Sequence, residues 1–174
     1  MPRARFATHY AWRWLALILS TSVLEAQTCL VLSPAPSATE GTASFELALY
    51  TVAGTRPSAV QWTLQYPSAT VKKLSVEDGS ALKSTGKTAL CAGDATAYKC
   101  LTVGTAEKAI DDGIVARVTA VLASGATTAT IEIKDALGTS PSSHVIPISA
   151  KIKLVGAGSP ADCARPKPQG EPHK

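Results

Sequence analysis

A strictly alternating segment, residues 58–67, constrains the fold of this chain more than any other feature. It reads SAVQWTLQYP, with apolar side chains at every second position from Val60 to Tyr66. The polar side chains between them are Gln61, Thr63 and Gln65. A period of two is typical of a β-strand with one buried and one solvent-exposed face. The segment therefore predicts a half-buried strand.

Similar segments follow along the chain, separated by turns rich in Gly, Pro, Ser and Asp, and they predict about nine strands. The predicted strands cover residues 29–33, 44–50, 58–67, 71–76, 88–92, 98–103, 114–122, 128–134 and 146–154. No apolar stripe of helical period persists for three turns, and only residues 105–110 are expected to form a helical turn. Nine strands cannot bury their inner faces in one open sheet, so we expect an all-β sandwich of two packed sheets.

Residues 1–26 have the features of a signal peptide. Three arginines precede an apolar run over residues 14–19, and the small residue Ala26 lies at the expected cleavage position. The apolar run is shorter than the roughly 20 residues that span a bilayer. We expect export to the periplasm, cell surface or medium, with no membrane association after cleavage. A retained amphipathic anchor and a lipidated Cys29 are the alternatives.

The charge of the chain gives little indication of a nucleic-acid partner. The 17 Lys and Arg exceed the 13 Asp and Glu, and the excess falls once the three arginines and one glutamate of residues 1–26 are removed. The remaining charges are scattered singly, without a basic run interleaved with aromatic residues. We therefore expect no nucleic-acid partner.

The four cysteines predict disulfides, because an even number in an exported chain favours pairing. Four cysteines allow three connectivities, of which we favour Cys91–Cys100 together with Cys29–Cys163. The first pair flanks a predicted hairpin turn, and the second lies just outside the two ends of the strand-rich region. A metal site is disfavoured because no CxxC pair or histidine cluster accompanies the cysteines.

These features divide the chain into three parts. Residues 27–156 are expected to form one domain, a size that supports a single core. Residues 157–174 are rich in proline and poor in apolar side chains, which predicts a disordered tail.

Two motifs resemble those of cohesin domains, the jelly-roll modules of bacterial polysaccharide-degrading assemblies, and of related carbohydrate-binding sandwiches. The first is Trp62-x-Leu64-x-Tyr66-Pro67, followed by Val71, Leu74, Val76 and Gly79; the second is IDDGIVARVT, residues 110–119. Cohesins commonly carry an Asp between the Tyr and the Pro, which this chain lacks. The resemblance covers roughly residues 29–155 and implies a nine-stranded jelly-roll β-sandwich.

The resemblance also implies a function. Cohesins bind a dockerin through the outer face of the sheet that contains their third, fifth, sixth and eighth strands. By strand order, the outward residues of the third strand here are Gln61, Thr63 and Gln65, which become candidate partner-binding residues. The alternative for these three is that they are ordinary solvated side chains.

The sequence offers little support for an enzyme or for a cofactor or metal site. His144 is the only histidine between residue 27 and the predicted tail, and no nucleophile motif accompanies any serine. The paired carboxylates Glu77-Asp78 and Asp111-Asp112 lie beside glycines, as turn residues do, and a calcium site at the second pair lacks further ligands at a defined spacing.

Sugar binding would require exposed aromatic rings. Tyr50 and Tyr98 are the candidate stacking residues, because Phe45, Trp62 and Tyr66 fall in apolar series and are expected in the core. We therefore expect a secreted, non-catalytic module that binds a dockerin-like protein partner, with direct polysaccharide binding as the alternative.

Overall fold

The structure, a computed structural model, describes residues 27–35, 40–52 and 54–152. The predicted signal peptide and the predicted tail lie outside these ranges. The described residues form ten strands and one short helix. The elements are β1 (Cys29–Pro34), β2 (Thr42–Tyr50), β3 (Ala59–Gln65), β4 (Val71–Asp78), α1 (Ser80–Thr85), β5 (Thr88–Gly93), β6 (Ala97–Val103), β7 (Gly113–Leu122), β8 (Glu132–Thr139), β9 (Val145–Pro147) and β10 (Ser149–Ile152).

The strands form two five-stranded sheets, which confirms the predicted all-β sandwich. One sheet, here called the β1 sheet, has the order β10-β1-β2-β7-β4. The other, called the β3 sheet, has the order β5-β6-β3-β8-β9. Neighbouring strands are antiparallel except for β1 and β10, which run parallel.

The core lies between the sheets, and Trp62 is the largest side chain that is fully buried within it. Leu47 and Leu49 of the β1 sheet belong to the same buried cluster, as do Val60 and Leu64 of β3. The alternation of residues 58–67 therefore has the predicted orientation, with its apolar side chains facing the opposite sheet. Among the described residues, the indole nitrogen of Trp62 is the one buried side-chain polar atom that lacks a hydrogen-bond partner.

The predicted number of strands is wrong by one, because the last predicted strand is divided. Val145–Pro147 pairs with β8 in the β3 sheet, whereas Ser149–Ile152 pairs with β1 in the β1 sheet. Pro147 has no N–H to donate, which is compatible with the end of a short edge strand. The buried Ile148 then lies where the chain passes from one sheet to the other. The continuation predicted for residues 153–154 lies outside the described residues.

The predicted strand over residues 128–134 is also misplaced, since β8 begins at Glu132 and continues to Thr139. Ile133 faces the core, but the register against β3 shifts at Asp135, which has a φ of 50°. A bulge inserts one extra residue, and the core-facing positions then fall on Ala136 and Gly138. The period of two is thereby interrupted within the strand, so the alternation could not be followed across it.

The helical turn predicted at residues 105–110 is not a helix in the structure, and the helix α1 follows β4 instead. Gly79 precedes it, and a Cβ atom there would lie 2.1 Å from the carbonyl oxygen of Ile114, so this close backbone approach requires glycine. Gly86 ends the helix in the left-handed conformation, with a φ of 68°.

The disulfide predicted between Cys91 and Cys100 is confirmed. The two residues are direct partners in the β5–β6 register, and both side chains face the core. Cys29 is fully buried and is not a free thiol. Its predicted partner, Cys163, lies outside the described residues, so that pairing stays a prediction.

A carboxylate joins the edges of the two sheets. Asp78 ends β4 in the β1 sheet, and its Oδ1 atom accepts a hydrogen bond of 2.7 Å from the backbone N–H of Ala89 in β5. The hydroxyl of Thr88 donates to the other carboxylate oxygen. Asp78 thereby accepts from a backbone N–H on an edge strand of the β3 sheet. An unpaired N–H at such an edge can otherwise bond to a strand of another chain.

We predict that Asp78→Ala lowers the free energy of unfolding by about 1–3 kcal/mol, because an edge N–H and a hydroxyl lose a charged acceptor. Glu77→Ala is the matched control, since Glu77 is the exposed neighbour and should change stability by less than about 0.5 kcal/mol. Urea denaturation of both variants is the measurement. Equal stability of the two variants would contradict this role for Asp78.

We also predict that replacing both Cys91 and Cys100 by serine lowers the free energy of unfolding by about 2–3 kcal/mol, through the loop entropy that the disulfide removes from the unfolded chain. Urea unfolding curves of the oxidised protein and of the double variant give the two free energies of unfolding. An unchanged midpoint would show that the cross-link contributes nothing to stability.

Candidate functional site

The outer face of the β3 sheet presents side chains from all five of its strands. Inward positions on β3 and β6 are buried, as at Trp62 and Cys100, so the residues between them point away from the core. The face contains the third, fifth, sixth, eighth and ninth strands of the chain.

A row of directly paired residues crosses this face from one edge to the other. Its order is Leu90, Leu101, Gln61, Leu137 and Pro147, one residue from each strand. The three leucines are 59%, 46% and 39% exposed, in that order. We call this set the leucine row. Several large apolar side chains exposed on one face of a sheet are a feature of interaction surfaces.

One side of the leucine row is also partly apolar. Val145 is 65% exposed and pairs with Thr139, while the half-buried Val103 pairs with Thr88. This half of the face therefore offers aliphatic side chains and two hydroxyl groups.

The other side of the leucine row is polar. The adjacent row runs from Ala92 through Lys99 and Thr63 to Lys134. Lys134 forms an ion pair of 2.8 Å with Glu132 on the same strand, and the hydrogen bond to that carboxylate raises the pKa of Lys134. Apolar and charged halves thus lie side by side, the composition expected of an interface with an apolar centre and a polar rim.

The three candidate partner-binding residues do lie on this face, but they differ in accessibility. Gln61 is half-buried in the centre of the leucine row, and Gln65 is exposed near the end of β3. Thr63 is only 8% exposed, and its hydroxyl donates to an Asp135 carboxylate oxygen at 3.4 Å. Their role in binding stays a prediction.

A groove of about 340 Å³ lies where the face meets the β5–β6 turn. Its lining residues are Gln65, Tyr66, Pro67, Thr96, Ala97, Thr130 and Glu132. The hydroxyl of Tyr66 donates to the carbonyl oxygen of Asp94 at 2.8 Å, and burial raises the pKa of Tyr66. Backbone N–H groups of Thr96 and Ala97 donate to the Asp94 carboxylate and lower its pKa. These bonds hold the β5–β6 turn against Tyr66 on one side of the groove.

The two candidate sugar-stacking residues are not brought together. Tyr50 is 40% exposed at the end of β2, in the β1 sheet. Tyr98 lies on β6 in the β3 sheet, where it pairs with Leu64 and packs against the core. Neither outer face therefore combines the two rings into one platform, and the polysaccharide hypothesis stays a prediction.

The residues considered for catalysis or metal binding make hydrogen bonds or ion pairs that stabilise turns and strand ends. His144 is exposed in a turn, where its N–H and C=O bond to Ser140. Asp112 accepts bonds from the N–H and hydroxyl of Thr51, and Asp111 pairs with Arg56. Within the described ranges, no group of three or more His, Cys, Asp and Glu side chains is arranged to hold a metal ion.

No helix within the described ranges has the length and apolar character required to cross a membrane.

Sequence reasoning did not identify the leucine row, although one signal was available. Cys91 and Cys100 had to face each other across the hairpin, and their neighbours Leu90 and Leu101 then had to face the opposite way. The disulfide therefore predicts two outward leucines, whereas apolar periodicity alone assigns leucine to the core.

Comparison with known proteins gives no match in sequence but a consistent match in structure. No protein-family model matches the chain, and no curated protein matches it. Among solved structures, the sixth cohesin of Acetivibrio cellulolyticus scaffoldin B, in complex with a Cel5 dockerin mutant, superposes with a TM-score of 0.60 at 16% identity, covering 73% of this chain and 94% of that one.

Two further cohesins extend the range of organisms. The OlpA cohesin of Clostridium thermocellum, in complex with a dockerin, has a TM-score of 0.58 and 9% identity, covering 73% of this chain and 98% of that one. A non-cellulosomal cohesin of Archaeoglobus fulgidus has a TM-score of 0.55 and 11% identity, covering 75% of this chain and 94% of that one. At these identities the likeness establishes the fold, and the chain has a cohesin-like fold.

Proposed function

We propose that this protein is an exported, non-catalytic module that binds a protein partner through the outer face of the β3 sheet. The leucine row carries the proposal, because it exposes Leu90, Leu101 and Leu137 on a surface that the fold holds rigid. At about 4.8 Å between strands, a row across five strands extends roughly 19 Å, enough to contact one element of a partner along its length.

The dockerin-like nature of the partner rests on the fold. The A. cellulolyticus and C. thermocellum cohesins described above were solved in complex with dockerins, and this chain covers 94% and 98% of their lengths. The cohesin resemblance of the sequence assigned the interface to the sheet of the third, fifth, sixth and eighth strands, and the leucine row crosses the sheet with these strands.

The physical basis for binding is a preorganised apolar surface with a polar rim. The strands are held by ladder hydrogen bonds on both sides of β3, so the leucines lose little backbone freedom when a partner covers them. Lys99 and the Lys134–Glu132 ion pair lie next to the row and can fix the orientation of the partner.

The export part of the proposal depends on residues 1–26, whose arginines, apolar run and Ala26 fit a cleavable signal peptide. The Cys91–Cys100 disulfide supports it, because such bonds persist in oxidising compartments.

We predict that Leu101→Asp weakens binding of a dockerin-like partner at least about tenfold, since it places a charge among the exposed leucines, next to the central Gln61. Val121→Asp is the matched control, because Val121 is similarly exposed, at 38% against 46%, but lies on the outer face of the β1 sheet. The assay is calorimetry or surface plasmon resonance with the partner recovered by pull-down from the source organism's culture supernatant and envelope extract, together with a panel of dockerins.

A partner that binds both variants equally would contradict the assignment of the face. Failure to recover any protein, combined with retardation of the mature domain in affinity electrophoresis on a glycan gel, would favour the polysaccharide alternative instead.

A further inference from the structure

In the described part of the chain the two sheets end in four edge strands, which differ in composition. β4 contains two lysines and two acidic residues, β10 contains Lys151, and β9 has three residues and ends at Pro147. Charged side chains, proline and short length all hinder edge-to-edge pairing between copies of a protein. β5, with the sequence TALCAG, has six residues, none of them charged and none of them proline. It is therefore the least protected of the four edges.

The open backbone groups of β5 belong to Cys91 and Gly93. The N–H of Ala89 points away from β6, since it donates to Asp78. N–H and C=O groups alternate in direction along an antiparallel strand, so those of Cys91 and Gly93 also point away from β6. The Cα atoms of Cys91 and Cys100 are 4.1 Å apart, which is typical of a pair that shares no ladder bonds and supports this direction. Within the described residues, no strand lies on that side of β5.

Only one half of this edge is accessible to another strand. Leu90 is 59% exposed, and Ala92 and Gly93 are exposed as well. At the other end, the carboxylate of Asp78 bonds to the N–H of Ala89 and occupies the place where a neighbouring strand would lie. An incoming strand can therefore pair with β5 only from Leu90 to Gly93.

We propose that β5 pairs in antiparallel orientation with β5 of a second copy of this chain, about a two-fold axis at Ala92. In this register Ala92 lies opposite Ala92 of the second copy, and Cys91 lies opposite Gly93 on both sides of the axis. Each Cys91–Gly93 pair exchanges both of its N–H···O=C bonds. Every backbone group that points outward from the accessible half of the edge thereby gains a partner.

A second copy fits this edge because the edge is complementary to itself. Cys91 and Gly93 each offer one donor and one acceptor, and the two-fold axis brings one residue opposite the other. The side chain at the axis is the methyl group of Ala92, so no like charges meet there. Since each molecule has one unprotected edge, the pairing closes at a dimer and does not continue into a fibre.

The pairing would join the β3 sheets of two molecules into one continuous sheet. The two-fold axis is perpendicular to that sheet, so the outer faces of both copies point to the same side. Two leucine rows would then lie on one surface, where a partner with two binding elements gains affinity from their linkage. This consequence rests on the proposed function, whereas the pairing of β5 depends on the edge alone.

Sedimentation velocity of the purified protein over a concentration series tests the pairing. We expect a weak dimer with a dissociation constant on the order of 100 µM, because one short strand gives an interface at the small end of the known range. Ala92→Glu and Ala92→Lys should each weaken dimerisation at least about tenfold, since like charges then lie directly opposite each other. Ser75→Glu is the control: it adds an exposed charge to the edge strand β4 and should change the dissociation constant by less than about twofold.

An equimolar mixture of the Ala92→Glu and Ala92→Lys variants tests the register. A glutamate then lies opposite a lysine at the axis, so the mixture should dimerise at least as well as the wild-type protein. Wild-type protein that stays monomeric up to about 1 mM, single variants that still dimerise, or a mixture that stays monomeric would each overturn the pairing. These measurements involve no partner protein, so their outcome is separate from that of the Leu101→Asp test.

Discussion

The burial of Trp62 between two sheets is the interaction on which the rest of the structure depends. Its side chain is fully buried in the same cluster as Leu47 and Leu49 from the opposite sheet. Burying an indole of this size contributes several kcal/mol, and its removal would leave a cavity that neighbouring strands cannot fill. Because Trp62 points inward, Gln61 and Thr63 have to point outward, so one contact decides both the core and the exposed face.

The candidate binding surface follows from the same alternation applied to five strands at once. The disulfide turns Cys91 and Cys100 inward, which forces Leu90 and Leu101 outward, and the strand register aligns them with Gln61 and Leu137. No loop has to be ordered to build the leucine row. A surface made in this way is suited to holding a partner in place, and the carboxylates and histidine near the turns serve the fold through hydrogen bonds.

Much of the fold could be predicted from the sequence, because several strands, β3 and β7 among them, alternate apolar and polar side chains over five or more residues. The core position of Trp62 followed from a period of two, the two-sheet architecture from the number of strands, and the Cys91–Cys100 bond from the hairpin turn that the two cysteines flank. The bulge at Asp135 could not be predicted, since an extra residue reverses the inward positions without any change in composition. The division of the last strand at Ile148 was missed for a related reason: the alternation continues from Ile146 to Ile152 although the chain changes sheets.

The site was harder to predict than the fold. Gln61 and Gln65 could be placed on the correct face, but the leucines around them could not, because apolar periodicity assigns such residues to the core. The most direct test of the account is the fluorescence of Trp62 in a protein that begins at residue 27, where it is the only tryptophan. Because the indole is fully buried, we expect blue-shifted emission that acrylamide quenches only after unfolding. Red-shifted emission with free quenching in the native protein would contradict it.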